Sequence, residues 1–369
     1  MLAASEKEFI ELFNTVEDPR EDERILHPLS EILFLAVTGV LSCAESWREI
    51  VRYGRMNLEF LRTYFPYQHG IPSKSLLSRV FSTLDKKSME MLLIEFAAWF
   101  PKRAAEEEII ALDGKRIKGS NVHLLHAFAT RFGIVLAQVD IDNKKNESTE
   151  IPGLLEKLDI AGSVLTADAL NCQKSIANKI REKEADYFLS LKRNQGTLFE
   201  DAHSYFTNRD KMEFYEEINK EHGRFEIRKC WSTDKIDWLK KEHSDWKGLK
   251  SICYIERERQ VKGTKSKECA LYLSSTAANA HKHLYYSRQH WGVENKLHWV
   301  LDVVFNEDRS VFRAKNAAQN MAIIRKLVIN MIKRYKQATG DETAIKTMRK
   351  VSSWSTKSAG EIIRFMVAN

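Results

Sequence analysis

The sequence predicts an α/β fold: a mixed five-stranded sheet flanked by helices, interrupted by a mostly β insertion, with an N-terminal helical domain and a helical C-terminus. Three observations predict it. Apolar residues recur at helical spacing over about the first hundred positions. From about residue 106, short apolar runs and helical patterns follow one another in the order β-β-β-α-β-α-β. After about residue 196 strand-like runs take over, until helical periodicity returns near His281 and holds to the end. These shifts divide the chain into 1–104, 105–195, 196–280 and 281–369.

In the first part, apolar positions repeat from Leu29 to Leu41, Leu58 to Phe65, Leu76 to Leu84 and Met89 to Phe100. Pro28 suits the start of a buried helix. Gly70-Ile71-Pro72 breaks the pattern, and Ser73 can cap the helix that follows. That helix carries Ser73, Lys74, Ser75, Ser78 and Arg79 near its start. A short helix, a turn and a polar, basic helix fit a DNA-reading helix-turn-helix or an ordinary helical subdomain.

In the second part, Ile109 to Leu112 is an apolar run ending at Asp113, followed by strand-like His123 to Thr130 and Phe132 to Ile141. Ser148 to Leu158 and Cys172 to Lys183 read as helices. Ser163 to Ala167 reads as a strand ending at Asp168, and Tyr187 to Leu191 as the last strand. A three-strand meander followed by a right-handed helical crossover makes the fourth strand parallel to the first. If the two are neighbours, Asp113 and Asp168 take comparable places near their carboxyl ends, where open α/β sheets bind ligands. Within the insertion, Arg224 to Trp231, Ser251 to Arg257 and Ala270 to Ser274 have strand character. In the last part, Ala317, Met321, Ile324, Val328, Met331 and Tyr335 form an apolar stripe at helical spacing.

Composition narrows the class. With 369 residues, 43% of them hydrophobic, the chain can bury a sizeable core and is not a disordered protein. Only 15 Gly and 6 Pro argue against collagen-like or linker-rich architecture. The net charge of +7 is uneven: Arg309 to Lys350 holds eleven Lys/Arg against Asp341 and Glu342, so the remainder is slightly acidic. A solvated helix face or a polyanion-binding surface would explain such a segment. The five cysteines contain no Cys-x-x-Cys, which fits a reducing compartment better than a disulfide framework. MLAASEKEF lacks the features of a signal peptide, and the longest apolar run, Ile32 to Ala44, is too short to span a bilayer. The expectation is a soluble, cytoplasmic protein without membrane association.

Three acids stand out. Asp113 and Asp168 each end an apolar strand, where a carboxylate is costly unless paired or metal-bound. On neighbouring strands they would repel unless a cation lay between them. Glu294 falls in a Trp-rich segment where His290, Glu294, His298 and Asp302 share one face if the segment is helical. That polar stripe also fits a structural network in a core helix. His281, His283, His290 and His298 could suggest zinc, but no His-Glu-x-x-His occurs. Carboxylates alone suit Mg²⁺ or Mn²⁺, and two such ions can drive displacement at phosphorus.

With these pieces in view, the chain resembles the DDE transposases of bacterial insertion sequences, specifically the ISAs family with its H-repeat-associated relatives. The resemblance rests on Ala111-Leu-Asp-Gly-Lys115, Thr166-Ala-Asp-Ala-Leu-Asn-Cys-Gln-Lys174, Leu191-Lys-Arg-Asn-Gln-Gly196 and His222-Gly-Arg-Phe-Glu-Ile-Arg228. The longest piece runs from Arg288 to Val303, followed by Phe305-Asn-Glu-Asp308. Val16-Glu-Asp-Pro-Arg20 and Gly70-Ile-Pro-Ser73 also fit. The resemblance implies an RNase H-like core whose β insertion precedes the helix bearing the glutamate. It implies two Mg²⁺ or Mn²⁺ ions ligated by Asp113, Asp168 and Glu294. Related transposases carry Tyr-x₂-Arg-x₃-Glu-x₆-Lys, where this chain has Ser287, His290 and Leu301. DNA contacts are then expected from Lys115, Lys192, Asn194, Gln195, Arg288, His290, Asn295, His298, Lys333 and Arg334. The implied partners are the element's terminal inverted repeats, target double-stranded DNA and a second copy of the chain in a synaptic complex. The implied activity is metal-dependent strand cleavage and strand transfer. A non-cleaving DNA-binding descendant, another RNase H-like nuclease and a helical scaffold are the alternatives.

Overall fold

Strand β1 (Ile109–Arg116) is buried over its first half and anchors the molecule. The computed structural model describes residues 4–21, 25–100, 107–142, 146–221, 224–261 and 264–365. The expected boundary at 104/105 and the motif residues His222 and Gly223 lie outside them. β1 pairs antiparallel with β2 (His123–Ala129), which pairs with β3 (Ile134–Asp140) across a turn where Gly133 adopts φ +70°. After a crossover through α7 (Glu147–Glu156), β4 (Val164–Ala167) lies parallel to β1, with Leu112 opposite Ala167. α8 (Lys174–Glu182) then leads to β5 (Asp186–Leu191), parallel to β4. The expected neighbourhood of the first and fourth strands is therefore present.

The sheet has nine strands where the sequence predicts five, in the order β3-β2-β1-β4-β5-β9-β8-β7-β6. The insertion supplies β6 (Glu213–Glu221), β7 (Arg224–Thr233), β8 (Ser251–Val261) and β9 (Thr264–Ser274). It continues the core sheet. β5 would otherwise present a row of unpaired N–H and C=O groups, and β9 satisfies them antiparallel, Phe188 opposite Ser274 and Leu191 opposite Leu271.

Helices α1 (Ala4–Leu12), α2 (Leu29–Leu41), α3 (Trp47–Met56), α4 (Leu58–Arg62), α5 (Lys74–Thr83) and α6 (Lys86–Ala98) precede the sheet. Ser73 caps α5 as expected, its side chain accepting from the Leu76 N–H at 3.2 Å. α9 (Thr197–Ser204) and α10 (Asp237–Glu242) lie within the insertion. α11 (Ala280–His290), α12 (Trp299–Val303), α13 (Ala317–Thr339), α14 (Ile345–Trp354) and α15 (Thr356–Arg364) follow. One apolar core joins α1–α6, α12–α15 and one face of the sheet through Leu33, Phe96, Ala111, Phe128, Met321 and Ile363. The N-terminal helices thus share their core with the C-terminal ones. A second core lies between the other sheet face and α7–α10, with Leu112, Leu125, Leu155 and Ile176. Among the described residues no helix is long and apolar enough to cross a membrane.

Candidate active site

Side-chain alternation along β1 builds the site. Ala111, Asp113 and Lys115 face the α11–α13 side, whereas Leu112 and Gly114 face α7 and the second core. Asp168 follows Ala167, the partner of Leu112, so the two aspartates are set side by side by register. The third acid arrives on a helix that the even four-residue spacing would leave unbroken. It is interrupted: α11 ends at His290, and Glu294–His298 forms a π-helical turn before α12, closed by the Trp299 N–H donating to Glu294 O. Three of the four polar residues still face the sheet, and Glu294 is exposed. His290 Nδ1 lies 3.1 Å from Thr166 Oγ1, His298 Nδ1 3.7 Å from Asp113 Oδ2, and Asp302 Oδ1 accepts from Lys115 Nζ at 2.7 Å.

Burial and neighbouring acids act together on the Asp113 carboxyl. Burial raises the Asp113 carboxyl, the charges of Glu147, Asp168 and Glu294 add to it, and it is pushed up to about 7. Among the described residues no Lys or Arg pairs with Asp113, Asp168 or Glu294; the ionisable partner of Asp113 is His298. That imidazole is drawn down to about 4, by burial first and then by the nearby Lys115 and Lys326. Burial likewise draws His290 down to about 4, against the pull of Asp168. Both rings are neutral at pH 7. His298 Nε2 also meets Nδ1 of the fully buried His126 at 3.3 Å. Among the described residues no three His, Cys, Asp or Glu side chains are close enough, as they stand, to grip an ion. Repulsion between like charges in a desolvated place opposes closer approach, and a cation would reverse it.

The remaining residues singled out in the sequence fall into distinct places. Lys115 is buried, and its ammonium meets Asp302, Asp308 at 3.3 Å and Glu307 at 3.5 Å. Asn194 donates to Ala169 O at 2.8 Å and Gln195 to Cys172 O at 2.7 Å, bracing the loop after Asp168, with Lys192 exposed beside them. Arg288 pairs with Glu217 of β6, and Asn295 is exposed within the π-turn. Arg334 donates to Trp99 O and Phe365 O, and Lys333 lies against the Gly133 turn. At the positions that depart from the related signature, Ser287 Oγ meets the Tyr272 hydroxyl at 3.1 Å and Leu301 is buried.

Sequence reasoning missed Glu147. It opens α7, where an acid ordinarily signals only a match to the helix dipole. Its carboxylate meets His123 Nε2 at 2.9 Å and accepts from Asn171 Nδ2 at 3.0 Å. It also missed the buried Glu307, which faces Lys326 at 3.7 Å and Arg325 at 3.8 Å. Burial opposes its ionisation, yet Lys326, Arg325 and Lys115 hold its carboxyl below the usual range.

Known proteins resemble this chain over most of its length. Residues 10–97 match the family described as "DDE_Tnp_1-associated", and residues 99–331 match "Transposase DDE domain". "Putative transposase YncI" of Escherichia coli O157:H7 is 36% identical over 373 residues, spanning 96% of this chain and 94% of that protein. "H repeat-associated putative transposase YhhI" of Escherichia coli strain K12 is 36% identical over 344 residues, spanning 88% and 90%. A piggyBac transposase in a synaptic complex with hairpin DNA aligns with 98% of this chain and 81% of its own. At 10% identity and a TM-score of 0.46, that likeness carries no argument.

Proposed function

The chain belongs to the DDE transposase family, and from that premise we propose that it cuts DNA at the terminal inverted repeats of its own element and joins the freed end to target DNA. The observation that carries this reading is the placement of Asp113, where the parallel pairing of β1 with β4 ends, beside Asp168, which follows the last residue of β4, with the charges of Asp168 and Glu294 reaching the Asp113 carboxyl. The five strands β1–β5, in the order 3-2-1-4-5, support an RNase H-like core beneath them. The donor set is carboxylate oxygen only, which fits Mg²⁺ or Mn²⁺. Asp113 and Asp168 would share two such ions, and Glu294 would complete their ligation. When bound, these ions supply an activated water and charge neutralisation at phosphorus.

The chain's own residues supply positioning. His298 and His290 stay neutral, so neither competes with a cation for the acids. Hydrolysis leaves a 3′-hydroxyl at the element end, which then attacks a target phosphate in the same site without a covalent protein intermediate. Exposed Lys74, Ser75 and Arg79 at the start of α5 offer a DNA-facing surface, as does Lys192 beside the Asp168 loop. Two element ends must meet, so two copies of the chain are proposed to act together in the cytoplasm of a bacterium. DNA carrying the sequences that flank the gene, incubated with the protein and Mg²⁺, is expected to be nicked at the element ends. Asp113→Ala, Asp168→Ala and Glu294→Ala should each abolish nicking while DNA binding persists. Undiminished nicking by Asp113→Ala would overturn the assignment.

A further inference from the structure

We propose that Glu147 is a positioning residue of this site, setting Asp113 and Asp168 relative to each other through Gly114, Asn171 and His123; the inference rests on the metal-binding reading above. Asp168 is linked to the Glu147 carboxylate through Asn171, and the main chain beside Asp113 rests against it at Gly114. On the Asp168 side, the backbone N–H of Asn171 donates to Asp168 Oδ1 at 3.1 Å, and its side-chain amide donates to Glu147 Oε2 at 3.0 Å. Asn171 is fully buried, so this bridge cannot be traded for bulk water. On the Asp113 side, the next residue is Gly114, and a Cβ built there would overlap the Glu147 carboxylate. Gly114 does not have a positive φ, so space is the requirement, not backbone freedom. The β1 main chain therefore rests directly against Glu147.

The third tie fixes the carboxylate itself. His123 Nε2 meets Glu147 Oε1 at 2.9 Å, and His123 opens β2 opposite Arg116 of β1. A glutamate side chain has several rotatable bonds, and holding both of its oxygens restricts it to one arrangement. The ordinary duty of an acid at a helix start is to serve that helix's own N–H groups and dipole. Here the preceding Asn146 makes no side-chain cap bond, and Glu147 reaches to β1, β2 and the Asp168 loop. Groups that orient metal ligands in this way typically carry 10–100-fold in metal affinity, roughly as much as some ligands.

Binding of Mn²⁺ alone to the full-length protein, followed by the electron paramagnetic resonance of free Mn²⁺, tests this without DNA. Asp113→Asn reports on the reading beneath: if the wild type binds no Mn²⁺, or Asp113→Asn binds it equally, the metal site falls and this inference with it. Given binding that depends on Asp113, Glu147→Ala is expected to weaken it about tenfold or more, while metal-free thermal unfolding stays cooperative. Glu147→Gln keeps the shape and can hydrogen-bond both His123 and Asn171, so it should stay within about threefold of the wild type. Wild-type affinity in Glu147→Ala would overturn the proposal. Should Glu147→Ala fail to fold, Asn171→Ala, which removes the amide donating to Glu147 and keeps the backbone N–H donating to Asp168, replaces it: about tenfold weaker binding supports the proposal and unchanged binding ends it.

Discussion

Asp113 holds its proton to about pH 7 in the folded chain, whereas the ordinary value is 3.8. The folded state binds that proton more tightly than the unfolded one. Its contribution to stability is therefore complete below about pH 4 and is lost as pH rises through about 7. Asp113→Asn removes the ionisation and so removes the loss. The metal-free variant is expected to unfold at a higher temperature than the wild type at pH 8 and together with it below pH 4, the gap being on the order of 2–4 kcal/mol. Added Mn²⁺ should close that gap by stabilising only the wild type. Coincident unfolding of the two metal-free proteins at pH 8 would remove the burial penalty, and the repulsion added to it, on which the prediction rests. The same residues show which parts of a site a sequence discloses. Asp113 and Asp168 are legible because each interrupts an apolar run at its end, where burial makes a charge conspicuous. Glu147 is not, because an acid opening a helix has an ordinary explanation, and its links to Gly114, His123 and Asn171 exist only after three segments meet.

Among the elements, the π-turn at Glu294–His298 is the one on which the site's geometry depends most directly. It lodges one extra residue in the helical path, a feature that residue spacing does not betray because both readings keep His298 and Asp302 on the sheet side. Deleting the exposed Asn295 would convert the turn to regular α-helix and swing Glu294 about 100° relative to His298. Asn295 makes one weak side-chain bond, to Trp291 O at 3.4 Å, so the deletion should leave cooperative unfolding intact. Cleavage should fall by about a hundredfold or more, the cost of misplacing a reacting group by an ångström. Undiminished cleavage in the deletion variant would show that the π-turn does not set the glutamate. The insertion strands mark the limit of legibility at this scale. The first half of β8 is buried on both faces, Ile252 and Tyr254 in one core and Cys253 and Ile255 in another, and it shows as a continuous apolar run. β6 and Thr264–Cys269 of β9 stand at the rim with charged, exposed side chains, so no buried face leaves a period-two signal. Hydrogen bonding to a neighbour defines them, β7 for β6 and β8 for this part of β9.

Over the whole molecule, charge has to be sorted by burial before it can be assigned to a partner. The eleven cations from Arg309 to Lys350 look like one basic surface in sequence. Folding withdraws Arg325, Lys326 and Arg349 into the interior. The first two face Glu307, and Arg349 donates to Val40 O and Val304 O while stacking over Phe305. Arg334 is bonded to main-chain carbonyls, and Lys333 sits at the Gly133 turn, the end of the sheet away from the β1–β2 loop. Arg309, Arg313 and Lys315 remain exposed, and Arg313 comes within 3.5 Å of a Cβ position at Gly119. That glycine lies in the loop with exposed Lys118, which follows exposed Arg116 just beyond Asp113. Arg313 thus joins Lys118 and Arg116 at the end of the sheet that holds the acids, whereas the exposed Lys346 and Lys350 lie on α14. DNA drawn into the site would release counterions there, about 0.9 in the slope of log K against log salt for each phosphate contact. Arg313→Ala combined with Lys118→Ala is expected to flatten that slope by about two and to weaken binding to every sequence alike. Lys333→Ala should leave it unchanged. Fluorescence anisotropy of labelled duplex DNA over a salt series measures both, and a flatter slope for Lys333→Ala alone would move the bound DNA to the opposite end of the sheet.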